Sequence, residues 1–275
     1  MLGKPVVEQL IRDGRSVRLL ARSPLKAKAL FGETVEIVAG DYEDMPSLLL
    51  ATQGCAGVHI SIKGGPKAVD FERADHLGVQ QIAKAAKQNG VPRVSLISAY
   101  AVSKEKADTP ESIAKLRGEA ALKESGLPTT ILRCSWAMES LPLFVQGSSI
   151  SLIGSQKHPL HWVAADDLAR MVARCFADDA TLNKELSIYG PEAWTMEQAM
   201  EVYRDLAAPG MKISKYSCRM LGLMGAVTFN EEWKGMATLM EHYERWGEDG
   251  SSEEANRLLG APKITLRQWC ERHRG

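Results

Sequence analysis

The stretch MLGKPVVEQLIRDGRSVRLLARSP, residues 1–24, decides the fold. Val6, Val7, Leu10 and Ile11 recur at helical spacing, and Gly14 stops that helix. Val17, Leu19 and Leu20 follow as a short apolar strand, closed by Arg22-Ser23-Pro24. Helix, strand and basic turn in this order form the middle of a dinucleotide-binding βαβ unit. The strand expected before the helix is missing, and of the glycine-rich turn only Leu2-Gly3 remains. The chain therefore reads as starting inside its own motif, an N-terminally truncated form with impaired cofactor binding and exposed strand edges.

Downstream, the same alternation continues. Short helices are expected over 25–31 and 45–52, and strands over 35–38 and 57–62. One long helix should run from about Pro66 to Gln88, ended by Asn89-Gly90. Val94 to Ile97 is the next strand. Thr109-Pro110 then begins a helix to Glu124, with Asp108 and Glu111 at capping-box spacing. Thr129 to Arg133 is the sixth strand of a complete fold. Strands and helices recur at about 20 to 35 residues, and the strands are apolar without alternation, the pattern of a parallel sheet covered on both faces. The fold class is α/β, a doubly wound, Rossmann-like sheet lacking its first strand, with a smaller, mainly helical C-terminal lobe. Residues 1–135, with a late strand over 186–190, make the sheet domain, and 136–275 the lobe.

Length and composition exclude several classes. A chain of 275 residues has ample core, and 34 basic against 34 acidic residues leave no broad footprint for nucleic acid. No apolar run approaches the roughly 18 residues that span a bilayer. The five cysteines, at 55, 134, 175, 218 and 270, have neither disulfide nor metal spacing. The expectation is a soluble cytoplasmic protein with no metal, no membrane partner and no nucleic acid.

Ligands in such sheets bind outside the carboxyl ends of the strands. Five places qualify: Arg22-Ser23, Gly40-Asp41-Tyr42, Lys63-Gly64-Gly65, Ser98-Ala99-Tyr100 and Arg133-Cys134-Ser135. Arg22 stands where an acid would accept the 2′-hydroxyl of NAD, and an arginine instead suits the 2′-phosphate of NADP; a solvated arginine is the plain alternative. Asp41 suits the adenine edge, or an ordinary Gly-Asp turn. Gly64-Gly65 lets backbone approach a ligand, or marks a loop. Tyr100 to Lys104 spells Y-x-x-x-K, but that pair works only on one helix face, and Tyr100 precedes the helix. Lys115, inside the helix with Glu119 one turn on, is the better lysine, unless it is only an exposed ion pair. Asp166-Asp167 fits a helix N-terminus better than a metal, and Cys134 reads as an inert core thiol.

Together these segments resemble the NmrA-like group of atypical short-chain dehydrogenase/reductases. The carriers include GKPVVEQLIRDG (3–14), VEIVAGDYED (35–44), AKLRGEAALKESGLPTTILRCSWAMES (114–140) and LSIYGPEAWTMEQAMEV (186–202). The resemblance implies a sheet binding NADP(H), with NAD(H) as the alternative, and a lobe over a small-molecule substrate. It makes Arg22 the 2′-phosphate contact and Lys115 the ribose lysine, with Tyr100 the candidate proton donor. Gly3, Ser23, Asp41, Lys63, Gly64 and Ser98 complete the expected cofactor set. The implied activity is reduction of a carbonyl or quinone; the alternative is a redox sensor that binds NADP(H) without turnover. Cys134 departs from the group, which usually has proline there.

Overall fold

The computed structural model describes residues 1–65 and 67–274. The chain opens with α1 (Gly3–Arg12), β1 (Arg18–Ala21), α2 (Pro24–Phe31), β2 (Glu36–Ala39), α3 (Met45–Thr52) and β3 (Val58–Ile60). Next come α4 (Ala68–Phe71), a π-helical segment (Glu72–Gly78), α5 (Val79–Gln88), β4 (Val94–Ala99), α6 (Pro110–Glu124) and β5 (Thr129–Cys134). The expected long helix from Pro66 is therefore not one α-helix. Its middle turns carry the wider π spacing, and its start at Pro66, like the end of the tail at Gly275, lies outside the described residues.

Four strands form one parallel sheet in the order β3-β4-β5-β9, where β9 is Lys184–Ile188. β1 and β2 pair parallel in a separate two-stranded sheet, and among the described residues neither β1 nor β3 pairs on its other edge. One apolar cluster nevertheless holds both parts. Leu20 of β1 packs with Leu48 of α3, Ile60 of β3 and Val79 of α5. On the opposite face Val6 of α1 joins Leu132, Leu186 and Val172. Burial of these side chains contributes about 1.5–3 kcal/mol each, more than the hydrogen bonds between the sheet parts would return.

The rest of the chain contributes β6 (Val145–Gln146), β7 (Ser149–Ile153), β8 (Leu160–His161), α7 (Ala165–Cys175), then β9, β10 (Ala193–Trp194), α8 (Met196–Leu206) and β11 (Lys212–Tyr216). Helices α9 (Cys218–Val227), α10 (Glu231–Arg245), α11 (Glu253–Leu259) and α12 (Leu266–Arg272) close it. This part is less purely helical than expected, since β11-β7-β6 is a small sheet of its own. Its core, built on Trp162, Met138, Met200 and Trp269, also takes in Tyr100 and Ala101 from just past the carboxyl end of β4.

Candidate functional site

The carboxyl ends of the strands divide into an outer and an inner group. At the outer end β1 stops at Ala21, and Arg22 projects with 79% of its side chain exposed. Its Nε lies 3.8 Å from Asp41 Oδ2, a loose contact that leaves the guanidinium free to bind elsewhere. Ser23 is extended at the start of α2 and makes no side-chain capping bond. Asp41 Oδ1 accepts from the Glu43 backbone N–H at 3.2 Å, an Asx-type turn. Helix α1 begins at Gly3 with no side-chain cap and no acid in its first turn, so its free N–H groups favour an anion.

Lys63 is exposed, but Gly64 has a packing reason. A Cβ there would lie 2.8 Å from the Asp70 carbonyl and 2.9 Å from Phe71 Cα, so the glycine lets the loop press on α4. That close approach is to protein, so the glycine has a packing reason of its own.

The inner end is different. Ser98 is buried at the end of β4, and its hydroxyl has no partner among the described residues. Tyr100 is 5% exposed, and its hydroxyl is likewise unpartnered. Its ring lies 5.4 Å from that of Tyr243 on α10, and Trp136 meets the same tyrosine edge-on at 5.1 Å. Burial, with Tyr243 and Glu248 nearby, pushes the Tyr100 phenol far above its ordinary value. Lys104 is exposed in the turn that follows, so Tyr100 and Lys104 do not share a helix face.

Lys115 is not an exposed partner of Glu119. Its ammonium lies 2.6 Å from Asp75 Oδ1 and 3.8 Å from Glu111, with only 16% of the side chain exposed. Burial opposes its charge, but Asp75 and Glu111 more than offset that and raise its pKa. Glu119 instead holds Arg133, at 2.5 Å. The pair with Asp75 depends on Gly118, where any Cβ would collide with the Asp75 carbonyl, so the π segment sits directly on α6. The capping of α6 also differs from expectation. Thr109 exchanges bonds with Ser112, which leaves Asp108 for other work.

Cys134 is buried and its thiol pKa is raised by desolvation, as expected of an inert core thiol. Asp167 accepts from the backbone of Lys263 and Ile264 at 2.7 Å each, and no group of metal-ligating side chains occurs among the described residues. No described helix is long and apolar enough to cross a membrane.

At the outer end Arg22 is a loosely paired cationic fork, Ser23 makes no capping bond, and the start of α1 has no side-chain cap. Inside, α10 lies over Lys115 and Ala99, and the cavity left between them measures only about 10 Å³. Ligand pockets generally run from about 300 to 1,000 Å³, so a nicotinamide with its substrate does not fit in this arrangement.

Sequence reasoning overlooked Asp75, Tyr243 and Glu248. Asp75 sits mid-helix in an unremarkable acidic run, and the other two come from the tail, where no motif marks them.

Quinone oxidoreductase 2 of Escherichia coli (strain K12) is 25% identical over 277 residues, covering 96% of this chain and 92% of that protein. Photosystem II assembly factor Ycf39 of Trieres chinensis is 23% identical over 237 residues, 84% of this chain and 74% of that protein. Among solved structures, the Citrobacter sp. triphenylmethane reductase complexed with NADP(H) superposes with a TM-score of 0.77 at 18% identity, covering 99% of this chain and 96% of that one. The model of a family described as NAD(P)H-binding matches residues 1–179, well over half of the chain, and this protein belongs to that family.

Proposed function

We infer that this protein is an NADP(H)-dependent reductase of a small carbonyl or quinone substrate, built as a cofactor part (1–135 with 186–190) and a substrate-side lobe (136–275). The observation that carries the cofactor choice is the free Arg22 guanidinium at the end of β1, where a carboxylate would favour NAD(H). Arg22 and Ser23 hold the 2′-phosphate, Asp41 the adenine edge, and the N-terminus of α1 at Gly3 the pyrophosphate, with Lys63 and Gly64 beside it. Ser98 and Lys115 stand toward the ribose and nicotinamide. When bound, the nicotinamide supplies a hydride. The chain's own part is to orient it and exclude water. Tyr100 stays protonated throughout the neutral range, and its unpartnered hydroxyl is a hydrogen-bond donor toward a substrate oxygen. The five unpaired thiols suit a reducing compartment such as the cytoplasm.

A second reading, a sensor that binds NADP(H) without turnover, is favoured by the paired state of Lys115 and by the narrow inner cleft. Incubation with NADPH and a panel of quinones and aldehydes separates the two. NADPH oxidation dependent on one of the panel supports the reductase. Binding without oxidation supports the sensor, and the absence of binding overturns both.

A further inference from the structure

Helices α9 and α10 form a hairpin that packs chiefly on itself, and α10 roofs the inner strand ends through Leu239, His242 and Tyr243. The rest of its attachment is both apolar and polar. Met240 is fully buried in the lobe core, with Tyr243 and Trp246 packed against it. The Met240 carbonyl accepts from Gln156 Nε2 at 2.8 Å, and Glu244 accepts from the Ser155 backbone N–H at 2.9 Å. Two more polar groups lie at the strand ends. Asp108, in the loop before α6, accepts from His242 Nδ1 at 2.5 Å, from Trp246 Nε1 at 3.2 Å, and from Arg245. Immediately beyond α10, residues 246–250 cross the strand ends without regular structure. Lys106 bonds the Gly247 carbonyl at 3.2 Å and Asp249 at 2.7 Å, and Glu248 takes His161 at 2.6 Å and Ser135.

The underside of α10 thus lies against the residues placed toward the nicotinamide, and many of the bonds that keep it there are ones that water can replace. We propose that the hairpin and residues 246–250 form a lid, latched on Asp108, that lifts as a unit to open the cleft over Tyr100 and Lys115. This rests on the reading of that cleft as the ligand site. The closed form seen here is then the resting state, and ligand binding competes with the latch. By linkage, weakening the latch raises the fraction of open protein and speeds ligand entry by the same factor.

Hydrogen–deuterium exchange on Asp108→Ala tests the lid without any ligand. Amides of 236–249 should exchange roughly tenfold faster or more, the scale expected for losing charge-assisted hydrogen bonds, while β4 and β5 keep their protection. Arg245→Gln, which removes one exposed donor and leaves the rest of the latch, should give a smaller increase confined to the same segment. Unchanged exchange in 236–249 overturns the proposal, and so does an increase spread equally over β4 and β5, because Asp108 would then be a structural residue of the whole fold. Stopped-flow mixing with NADPH adds the functional arm: Asp108→Ala should associate faster, and an unaltered rate in a protein that does bind NADPH removes the gating role. If neither protein binds NADPH, the functional reading fails while the exchange result still decides whether the lid exists.

Discussion

The outer and inner ends of the strand crevice carry similar residue types in opposite circumstances. Arg22 stands in solvent 3.8 Å from a half-buried Asp41, whereas Lys115 and Asp75 are locked at 2.6 Å, both largely buried. A charge that water already solvates can be lent to a ligand at little cost; a buried one is already part of the fold. The contrast explains why the outer end reads as a binding surface and the inner end as core, although both lie at strand ends in the same way.

The largest effect should come from the inner pair. Asp75→Ala leaves the Lys115 ammonium buried without its main partner, and should lower unfolding stability by about 3–5 kcal/mol in denaturant titrations. Lys115→Ala should cost a similar amount, and the double variant less than the sum. A loss under 1 kcal/mol for either single variant would mean that the pair is solvated and that the two ends are alike.

Between the ends, β3 carries His59, whose Nδ1 lies 2.8 Å from Ser95 Oγ. Burial pushes its pKa down from 6.5 to about 4. Folding therefore excludes its proton. The stabilisation is complete above pH 6.5, falls as the pH drops through the window from 6.5 to 4, and amounts to roughly 3 kcal/mol when fully lost. Thermal unfolding from pH 7 to pH 4 should show this fall in the wild type and much less of it in His59→Gln. Equal slopes for both would assign the acid sensitivity elsewhere.

At the outer end, Arg22→Ala should weaken NADPH binding by about 1.5–3 kcal/mol in calorimetry, leave NADH binding unchanged, and barely move stability. An equal loss for both cofactors would make Arg22 structural. Smallest of all, Lys104→Ala should alter stability and NADPH affinity by under about 0.5 kcal/mol, because the side chain is exposed and shares no helix face with Tyr100.

The fold was legible because its signals are local. Apolar runs such as Val94 to Ile97, the Thr109-Pro110 helix start and the glycines past helix ends each act within a few residues, and all are found within a residue or two of where they were expected. The π segment was not legible, since 66–88 has ordinary helical composition and the altered spacing lies where Asp75 meets Gly118 of another helix. The outer site could be read from Arg22 itself. The inner site could not, because its state is set by Tyr243 and the Asp108 contacts, which join residues more than 130 positions apart. The i,i+4 spacing of Lys115 and Glu119 misled for the same reason: Asp75 and Arg133, each supplied by another element, are closer.

The place of β9 beside β5 bears on the order of events during folding. Thr129 and its neighbour Asn183 touch across a sequence separation of 54, and the intervening chain includes Trp162 and α7, which have to find their own cores first. The entropy of closing a loop grows slowly with its length, but a parallel pairing gives no return until the whole crossover is in place. The strands β3, β4 and β5 can assemble from contacts within the first half of the chain. The outer edge of β5 stays open until residues 184–188 arrive, so this edge, rather than any loop, sets the interval in which a half-made molecule can pair with its neighbour.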